Sequence, residues 1–151
     1  MKKIRPTWDE YFLRIAKLVS TRSHDIHTQH GCVLVKDNRI IGTGYNGWPE
    51  GVDWGEEYLE RPIKYQEGIF LHSEINALAN RTTVERDFTA YITGEPCINC
   101  LVNLGQAGVK RIVHIDGYSS QIIEREDTKT RGKYLSHKNI EISKYENSIY
   151  C

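Results

Sequence analysis

The first clear pattern in the chain is a helical repeat of apolar residues near its N-terminus. The apolar positions recur with the three- and four-residue spacing of one helix face: Phe12, Ile15, Ala16 and Val19. Thr7 precedes this run and Glu10 follows Thr7 by three residues, which is the spacing of a capping box. The pattern therefore predicts a first helix that begins after Thr7 and ends at about Arg22.

Two apolar segments then flank a polar pair that suits a tight turn. Residues 31–36 and 39–44 are rich in Val, Leu and Ile, and Asp37-Asn38 lies between them. Asp and Asn tolerate the left-handed backbone angles that two-residue hairpin turns require. The sequence predicts an antiparallel hairpin after the first helix.

A second helix is predicted where the chain lacks helix-breaking residues. Residues 74–80 contain neither Gly nor Pro, and Ile75, Leu78 and Ala79 are available for a buried side. This spacing predicts that these three side chains form the buried side of the helix.

The rest of the chain alternates between extended and helical patterns. Residues 88–93 and 111–115 predict strands, and the helix between them is expected to end at Gly108 in a left-handed cap. Residues 127–138 are compatible with a further helix despite Gly132, and residues 140–143 with an edge strand. Strands that alternate with helices after an opening hairpin favour a mixed sheet covered by helices on both faces, in one α/β domain over the whole chain, residues 1–151.

Composition narrows the class of protein. Twenty basic and twenty acidic residues give a formal net charge of zero, which disfavours a nucleic-acid coat or a polybasic membrane surface. No stretch approaches the roughly 18 to 20 apolar residues of a membrane span. Four cysteines do not indicate a disulfide framework, and Cys32 is expected to be a small buried residue of a strand. We expect a cytoplasmic protein with neither membrane nor nucleic acid as a partner.

Two short motifs supply the groups of a metal site. They offer three zinc ligands, His72, Cys97 and Cys100, and one carboxylate, Glu74, that is not needed as a ligand. A catalytic zinc takes three protein ligands and leaves the fourth position for water, whereas a structural zinc takes four. The two cysteines are three positions apart, so on a helix they share one face, and Pro96 suits its first turn. The spacing predicts a catalytic zinc.

Other interpretations of these motifs remain open. A C-x-x-C pair also occurs in redox sites and in zinc knuckles, but a knuckle needs a second ligand pair, and Cys32 and Cys151 stand alone. Glu74 could be an acid favoured by the first turn of a helix. The order H-x-E…P-C-x-x-C is the signature of zinc-dependent nucleobase deaminases. It favours the catalytic zinc, with a structural zinc as the alternative.

Further motifs extend the likeness over almost the whole chain. Residues 44–51 read GYNGWPEG and residues 106–112 read QAGVKRI. With the zinc motifs, these resemble the deoxycytidylate (dCMP) deaminase family of the cytidine deaminase superfamily, which implies a three-layer α/β/α fold. The chain departs from the family pattern at three positions: Ser73 replaces a usual Ala, Leu101 a small residue and His30 an apolar one.

The resemblance implies a reaction and a metal content. The reaction is hydrolytic deamination of dCMP to dUMP and ammonia, with Glu74 moving the protons. Some members of the family hold a second, structural zinc with His or Cys, but residues 52–71 contain neither, so one zinc per chain is expected. The alternatives are a deaminase of another cytosine or adenine substrate, such as a nucleoside or a tRNA, and a non-catalytic zinc-binding protein.

Three residues are candidates for binding the nucleotide. The resemblance implies that Asn46 contacts the sugar and that Tyr118 contacts the substrate, although Asn46 could also be a turn residue. Arg22 could bind the 5′-phosphate as a charged fork. An arginine near the C-terminus of a helix could equally interact with the helix dipole.

The resemblance also implies regulation and assembly. Many enzymes of this family are homohexamers that dCTP activates and dTTP inhibits, with the effector near the Gly47 to Gly51 part of the loop. Glycines let a backbone approach a phosphate closely, although Gly47 and Gly51 could simply form the turn. The acidic, aromatic segment 52–71 is expected to be a lid, a subunit contact or an effector pocket.

Overall fold

The computed structural model describes residues 4–51, 69–116 and 128–146. Within these ranges four helices and five strands follow one another in this order: α1 Trp8–Ser20, β1 Gly31–Lys36, β2 Arg39–Tyr45, α2 Ser73–Ala79, β3 Phe88–Ile92, α3 Ile98–Ala107, β4 Val109–Ile115, α4 Thr128–Lys138 and β5 Glu141–Tyr145.

Helix α1 begins with the capping box that the sequence predicts. The Thr7 hydroxyl accepts the Glu10 backbone N–H at 3.2 Å, and the Glu10 carboxylate accepts the Thr7 N–H at 2.8 Å. The helix ends at Ser20 with Thr21 as its C-cap, so Arg22 lies just beyond the helix. The buried side carries Phe12, Leu13 and Ala16.

The predicted hairpin is confirmed, and its turn has the expected backbone. Asp37 and Asn38 have φ angles of 51° and 59°, both in the left-handed region that Asp and Asn tolerate. Lys36 pairs with Arg39 beside the turn, and Gly31 pairs with Tyr45 at the open end.

The strands form one mixed sheet in the order β2-β1-β3-β4-β5. Strand β1 is antiparallel to both β2 and β3, whereas β3, β4 and β5 run parallel to one another. Helix α1 packs on one face, over a core that includes Val33, Tyr91 and Val113. Helices α2 and α3 pack on the other, together with Tyr134 and Leu135 of α4. The predicted three layers are therefore present.

Two glycines let helices approach the sheet closely. A Cβ atom at Gly31 would lie 2.1 Å from the Ala16 carbonyl oxygen of α1, and one at Gly44 would lie 2.2 Å from the Ala77 nitrogen of α2. This approach corrects the predicted buried side of α2. Ala77 is fully buried against the sheet, whereas Ala79 is exposed because the helix turns it away from Gly44.

Strand β2 lies at one edge of the sheet, and polar groups from α2 and the turn after it cover that edge. The donors and acceptors are Asn76 Nδ2 to Tyr45 O at 2.8 Å, Asn80 Nδ2 to Thr43 O at 3.3 Å and Thr82 N to Ile41 O at 2.7 Å. On its outer side β2 has no partner strand. These bonds give every second carbonyl on that side a hydrogen-bond donor.

The described helices include none with both the length and the apolar character needed to cross a membrane.

A polar network ties α1 to the sheet. The Asp9 carboxylate accepts two bonds from the Arg111 guanidinium, at 2.8 and 2.7 Å. The hydroxyls of Tyr91 and Tyr145 donate to the same carboxylate at 2.8 and 3.0 Å. The hydrogen bonds from Arg111 and the two tyrosines hold the pKa of Asp9 below its ordinary value, against the opposing effect of burial. One carboxylate thus joins α1 to β3, β4 and β5.

We expect Asp9→Asn to lower the free energy of unfolding by about 1 to 2 kcal/mol at neutral pH. The amide loses the charge-assisted bonds to Arg111, and partial exposure moderates the cost. The folded-state pKa of Asp9 is lowered, so its stabilisation is complete above the unfolded-state pKa and is lost as the pH falls through the folded value. The wild-type advantage should therefore shrink below pH 3.8, the ordinary value. Urea unfolding of the wild type and the variant, at neutral pH and below pH 3.8, measures this difference in the free energy of unfolding.

Asp37→Asn is the matched control, because Asp37 is exposed in the hairpin turn and Asn tolerates its φ angle of 51°. This variant should stay within about 0.5 kcal/mol of wild type. Equal losses for the two variants, or an Asp9 effect independent of pH, would contradict the role of the network.

Candidate active site

The candidate metal ligands meet at one end of the sheet, where β2 and β3 end and β1 begins. Helices α2 and α3 both start there, each one directly after a ligand. In α/β sheets, ligands bind outside the carboxyl ends of strands where the connections diverge. The chain topology therefore brings together residues that lie 25 positions apart, His72 and Cys97.

The three predicted ligands form a group that fits a zinc ion. The Nδ1 atom of His72 lies 3.5 Å from Cys97 Sγ and 3.3 Å from Cys100 Sγ. All three ligand atoms lie within 4.8 Å of one another. Tetrahedral zinc with its usual bond lengths places nitrogen and sulfur ligands about 3.6 Å apart. The donor set and its spacing therefore match zinc, with His72 offering Nδ1.

Cys97 both caps a helix and faces the ligand group. It is the N-cap of α3, and its Sγ accepts the Cys100 backbone N–H at 3.5 Å. The sequence-based placement of both thiols on one helix face is therefore wrong in detail, since α3 begins at Ile98. Pro96 consequently precedes the cap instead of occupying the first turn. Only Cys100 lies within the helix.

The ionisation of the two thiols is coupled. A hydrogen bond from the Cys100 thiol, with help from His72, lowers the pKa of Cys97 to about 4. The same hydrogen bond and burial raise the pKa of Cys100. The hydrogen bond with Cys97 also raises the pKa of His72. The lowered pKa of Cys97 favours its thiolate, the form of cysteine that binds metals.

His72 is fixed by its neighbours in the chain. It is the N-cap of α2 but makes no side-chain cap hydrogen bond, because its ring faces the cysteines. The preceding residue, Leu71, exchanges two backbone hydrogen bonds with Gly47, at 3.0 and 2.9 Å. This bridge joins the 44–51 loop directly to the segment that carries the imidazole.

Glu74 lies in the first turn of α2 and is buried, with 6% of its surface exposed. Burial raises the pKa of its carboxyl group, while His72, its own backbone N–H and the Ser73 hydroxyl oppose that rise. The Ser73 hydroxyl donates to Glu74 Oε2 at 2.9 Å. A buried acid with a raised pKa next to a metal-ligand group is suited to proton transfer.

Asn46 organises the loops beside the metal group. Its Oδ1 accepts the His30 backbone N–H at 2.8 Å, and its Nδ2 donates to the Thr28 carbonyl at 2.9 Å. Its own carbonyl accepts the Ser23 hydroxyl at 2.8 Å. The turn interpretation of Asn46 is incomplete, because this buried amide joins the 44–51 loop to the segment between α1 and β1.

Of the other predicted binding residues, Gly47 is buried, Arg22 and Gly51 are exposed, and Tyr118 lies outside the described residues. The Arg22 guanidinium is 5.8 Å from the centre of the Tyr45 ring, within the range of a cation–π contact. A Cβ atom at Gly47 would lie 2.4 Å from His24 Nδ1, while Gly51 has a φ angle of 77° and open space around it. Tyr118 lies outside the described residues, as do residues 52–68 of the acidic segment.

Arg131 of α4 supports the site and was missed by the sequence analysis. Its guanidinium donates to the Pro96 carbonyl at 2.5 Å and pairs with Glu95 at 3.2 Å, while its own side chain is 8% exposed. These bonds hold the turn that leads into Cys97. A buried arginine in a mostly exposed helix has no distinctive sequence pattern, so only the packing of α4 identifies it.

His30, just before β1, and Thr93, just after β3, link the ends of these two strands. The Thr93 hydroxyl accepts the Gly31 backbone N–H at 3.1 Å and lies 3.0 Å from His30 Nδ1. Burial, followed by the charge of His72, lowers the pKa of His30 to about 4. The imidazole is therefore neutral at physiological pH, which explains how a histidine fits where the resembled family has an apolar residue.

The sequence and the fold of the chain are similar to those of known deaminases. Residues 6–115 match the family described as the cytidine and deoxycytidylate deaminase zinc-binding region. The chain is 34% identical to the deoxycytidylate deaminase of Schizosaccharomyces pombe, over 98% of this chain and 48% of that protein. It is 44% identical to the probable deoxycytidylate deaminase of Caenorhabditis elegans, over 70% of this chain and 55% of that protein. The chain therefore spans about half the length of these curated relatives.

A solved structure shows the same architecture. The dCMP deaminase from the cyanophage S-TIM5, in complex with dCMP and dUMP, has a TM-score of 0.72 and 25% sequence identity. The match covers 95% of this chain and 100% of that chain. This likeness confirms the predicted cytidine deaminase-like α/β fold.

We expect Arg131→Ala to weaken zinc binding about 10- to 100-fold, the usual cost of losing a residue that supports metal ligands. The variant loses the guanidinium that holds the Pro96 carbonyl beside Cys97. Competition with a chelator, followed by metal content, measures the affinity. Lys133→Ala is the control, because Lys133 is an exposed cation of the same helix. Equal zinc affinity in the two variants would contradict the role of Arg131.

Proposed function

The chain belongs to the family of cytidine and deoxycytidylate deaminases with a zinc-binding region, and from this premise we propose that it hydrolyses dCMP to dUMP and ammonia. The observation that carries the proposal is a buried carboxylate, Glu74, beside a three-residue group that fits zinc. A group of three ligands leaves a coordination position for water. We also propose that residues 1–151 act as one deaminase domain in the cytoplasm.

The metal would be held by His72, Cys97 and Cys100, with one ion per chain. When bound, zinc lowers the pKa of a water molecule so that hydroxide becomes available near neutral pH. Two thiolate ligands donate negative charge and weaken this effect. A base beside the site is therefore needed to complete the deprotonation.

Glu74 supplies that base. Its carboxylate accepts a proton from the attacking water, passes a proton to N3 of the cytosine and then protonates the leaving amino group. The water oxygen bonds to C4, and the first water proton goes through Glu74 to N3. Glu74 then carries the remaining hydroxyl proton to the amino group, so that the bond from C4 to nitrogen breaks, ammonia leaves and the C4 carbonyl forms. The raised pKa of Glu74 brings it closer to the value at which one group can both accept and donate protons.

The nucleotide would bind along the loops that Asn46 joins. An amide nitrogen carries two N–H groups, and the Thr28 carbonyl takes one of those of Asn46. We assign the second N–H group of Asn46 to a hydrogen bond with the sugar. Arg22, beside Tyr45 at the same end of the sheet, would bind the 5′-phosphate. Tyr118 follows β4 in the chain and is proposed as a further substrate contact.

The wild-type protein should deaminate dCMP in preference to deoxycytidine. The Glu74→Gln variant should retain zinc, but its turnover should fall by about 10²- to 10⁴-fold. The amide keeps the shape of the side chain but cannot accept the proton. Ammonia release from cytosine, deoxycytidine, CMP, dCMP, dCTP, adenosine and a tRNA, measured with metal content, tests both statements.

Two outcomes of this panel would contradict the proposal. Turnover of tRNA or adenosine but not dCMP would place the protein among other deaminases, and full activity of Glu74→Gln would remove this residue from the mechanism. Arg22→Ala, run in the same panel, should weaken dCMP more than deoxycytidine. Equal losses would mean that the phosphate binds elsewhere.

We further propose that the enzyme is a homohexamer that dCTP activates and dTTP inhibits. The support is the preserved GYNGWPEG loop, whose Gly47 and Gly51 are assigned to the effector. The backbone of Gly47 is hydrogen-bonded to that of Leu71, the neighbour of His72, and Gly47 follows Asn46 in the chain. A shift of this loop would therefore move both a metal ligand and a substrate contact, which gives the effector a short route to catalysis.

Saturation curves for dCMP should shift with either effector. A coupling free energy of about 1 to 3 kcal/mol corresponds to a 5- to 150-fold change in apparent affinity. The curves should move to lower dCMP concentration with dCTP and to higher concentration with dTTP, and the mass in solution should be that of a hexamer. Hyperbolic curves that neither nucleotide moves would limit the loop to catalysis.

A further inference from the structure

Ser73, the residue between His72 and Glu74, is fully buried. Among the described residues, its hydroxyl has one hydrogen-bond partner, Glu74. It is 0% exposed, and its Oγ donates to Glu74 Oε2 at 2.9 Å. A serine hydroxyl has only one proton to donate. That proton is therefore committed to one oxygen of the Glu74 carboxylate.

The backbone that carries this hydroxyl is held rigidly. Ser73 is the first residue of α2, and its carbonyl oxygen lies where a Cβ atom at Gly44 would be only 2.4 Å away. The same helix is tied to β2 by the bond from Asn76 to the Tyr45 carbonyl. A hydroxyl mounted on a fixed element can hold a neighbouring side chain in a single orientation.

We propose that Ser73 is a positioning residue that fixes the orientation of the Glu74 carboxylate through the hydrogen bond to Oε2. The inference rests on the proposed function, because it concerns the carboxylate that would move the protons there. The resembled family usually has alanine at this position, which has no hydroxyl.

The role of Ser73 follows from the burial of the acid. A buried carboxylate oxygen requires a hydrogen-bond donor, and the Ser73 hydroxyl provides one to Oε2. Without it, Oε2 loses this donor, and the carboxylate is less restricted to one orientation. Misplacement of a reacting group lowers turnover much more than it lowers substrate binding when that group does not hold the substrate.

The test is a double-mutant cycle with a matched control. Ser73→Ala should lower kcat for dCMP about 10- to 100-fold, the scale of a misplaced catalytic group, with KM within about twofold and zinc content unchanged. In the Glu74→Gln background, Ser73→Ala should change the residual turnover less than about twofold, because partners in one step are not additive. Ser20→Ala should retain wild-type turnover, since the buried Ser20 hydroxyl donates to the Lys17 carbonyl within α1.

A crystal structure of Ser73→Ala provides a readout that does not depend on activity. It should show the Glu74 carboxylate in more than one rotamer or rotated from its wild-type position. An unmoved carboxylate overturns the inference, and so does a moved carboxylate with wild-type kcat. If wild-type protein deaminates dCMP and Ser73→Ala equals it, this inference alone fails. If wild-type protein deaminates no nucleotide, the proposed function fails and the inference falls with it.

Discussion

The close approach of α2 to β2 at Gly44 is the constraint on which the candidate site depends. A side chain at this position would collide with the backbone of Ala77 and of Ser73, so the helix can sit at its observed depth only above a glycine. That depth sets the height of the first turn of α2, and with it the positions of the imidazole before the helix and of the carboxylate within it. Packing of backbone on backbone varies little with time, because protein interiors are dense. The site therefore inherits its geometry from the sheet.

The other half of the site is set from a different direction. The turn that carries Cys97 leaves β3 and is held by Arg131, a residue of α4 that follows it by more than thirty positions. Cys97 then closes the N-terminus of α3 with its own sulfur. Two helix starts and a distant arginine thus converge on one point, and none of the three lies in a long loop. Catalytic groups mounted on such elements are placed more precisely than groups on loops.

Features governed by local interactions could be predicted from the sequence, and features governed by the rotation or packing of an element could not. The capping box at Thr7, the Asp37-Asn38 turn and the left-handed Gly108 each depend on residues within a few positions, and all three are present. The grouping of His72, Cys97 and Cys100 was also predictable, because it follows from residue types and their order. The burial of Ala77 depends instead on which face of a short helix meets Gly44.

The same distinction explains the site residues that were missed. Arg131 is one of many charged residues in its part of the chain, and its role arises only because α4 packs beside the turn before Cys97. The bond from Ser73 to Glu74 joins adjacent residues, yet it depends on both side chains being enclosed beneath β2. Where the shape of the interior decides the partner, residue order carries no information about it.

The bonds along the outer edge of β2 also restrict how copies of this chain can associate. The carbonyls of Ile41, Thr43 and Tyr45 already accept bonds from the segment 76–82. A strand from another molecule would have to displace these donors before it could extend the sheet. Continuation of the sheet into another molecule across this edge is therefore disfavoured. Helix α2 and the turn after it thus cover an edge strand that would otherwise be a template for aggregation.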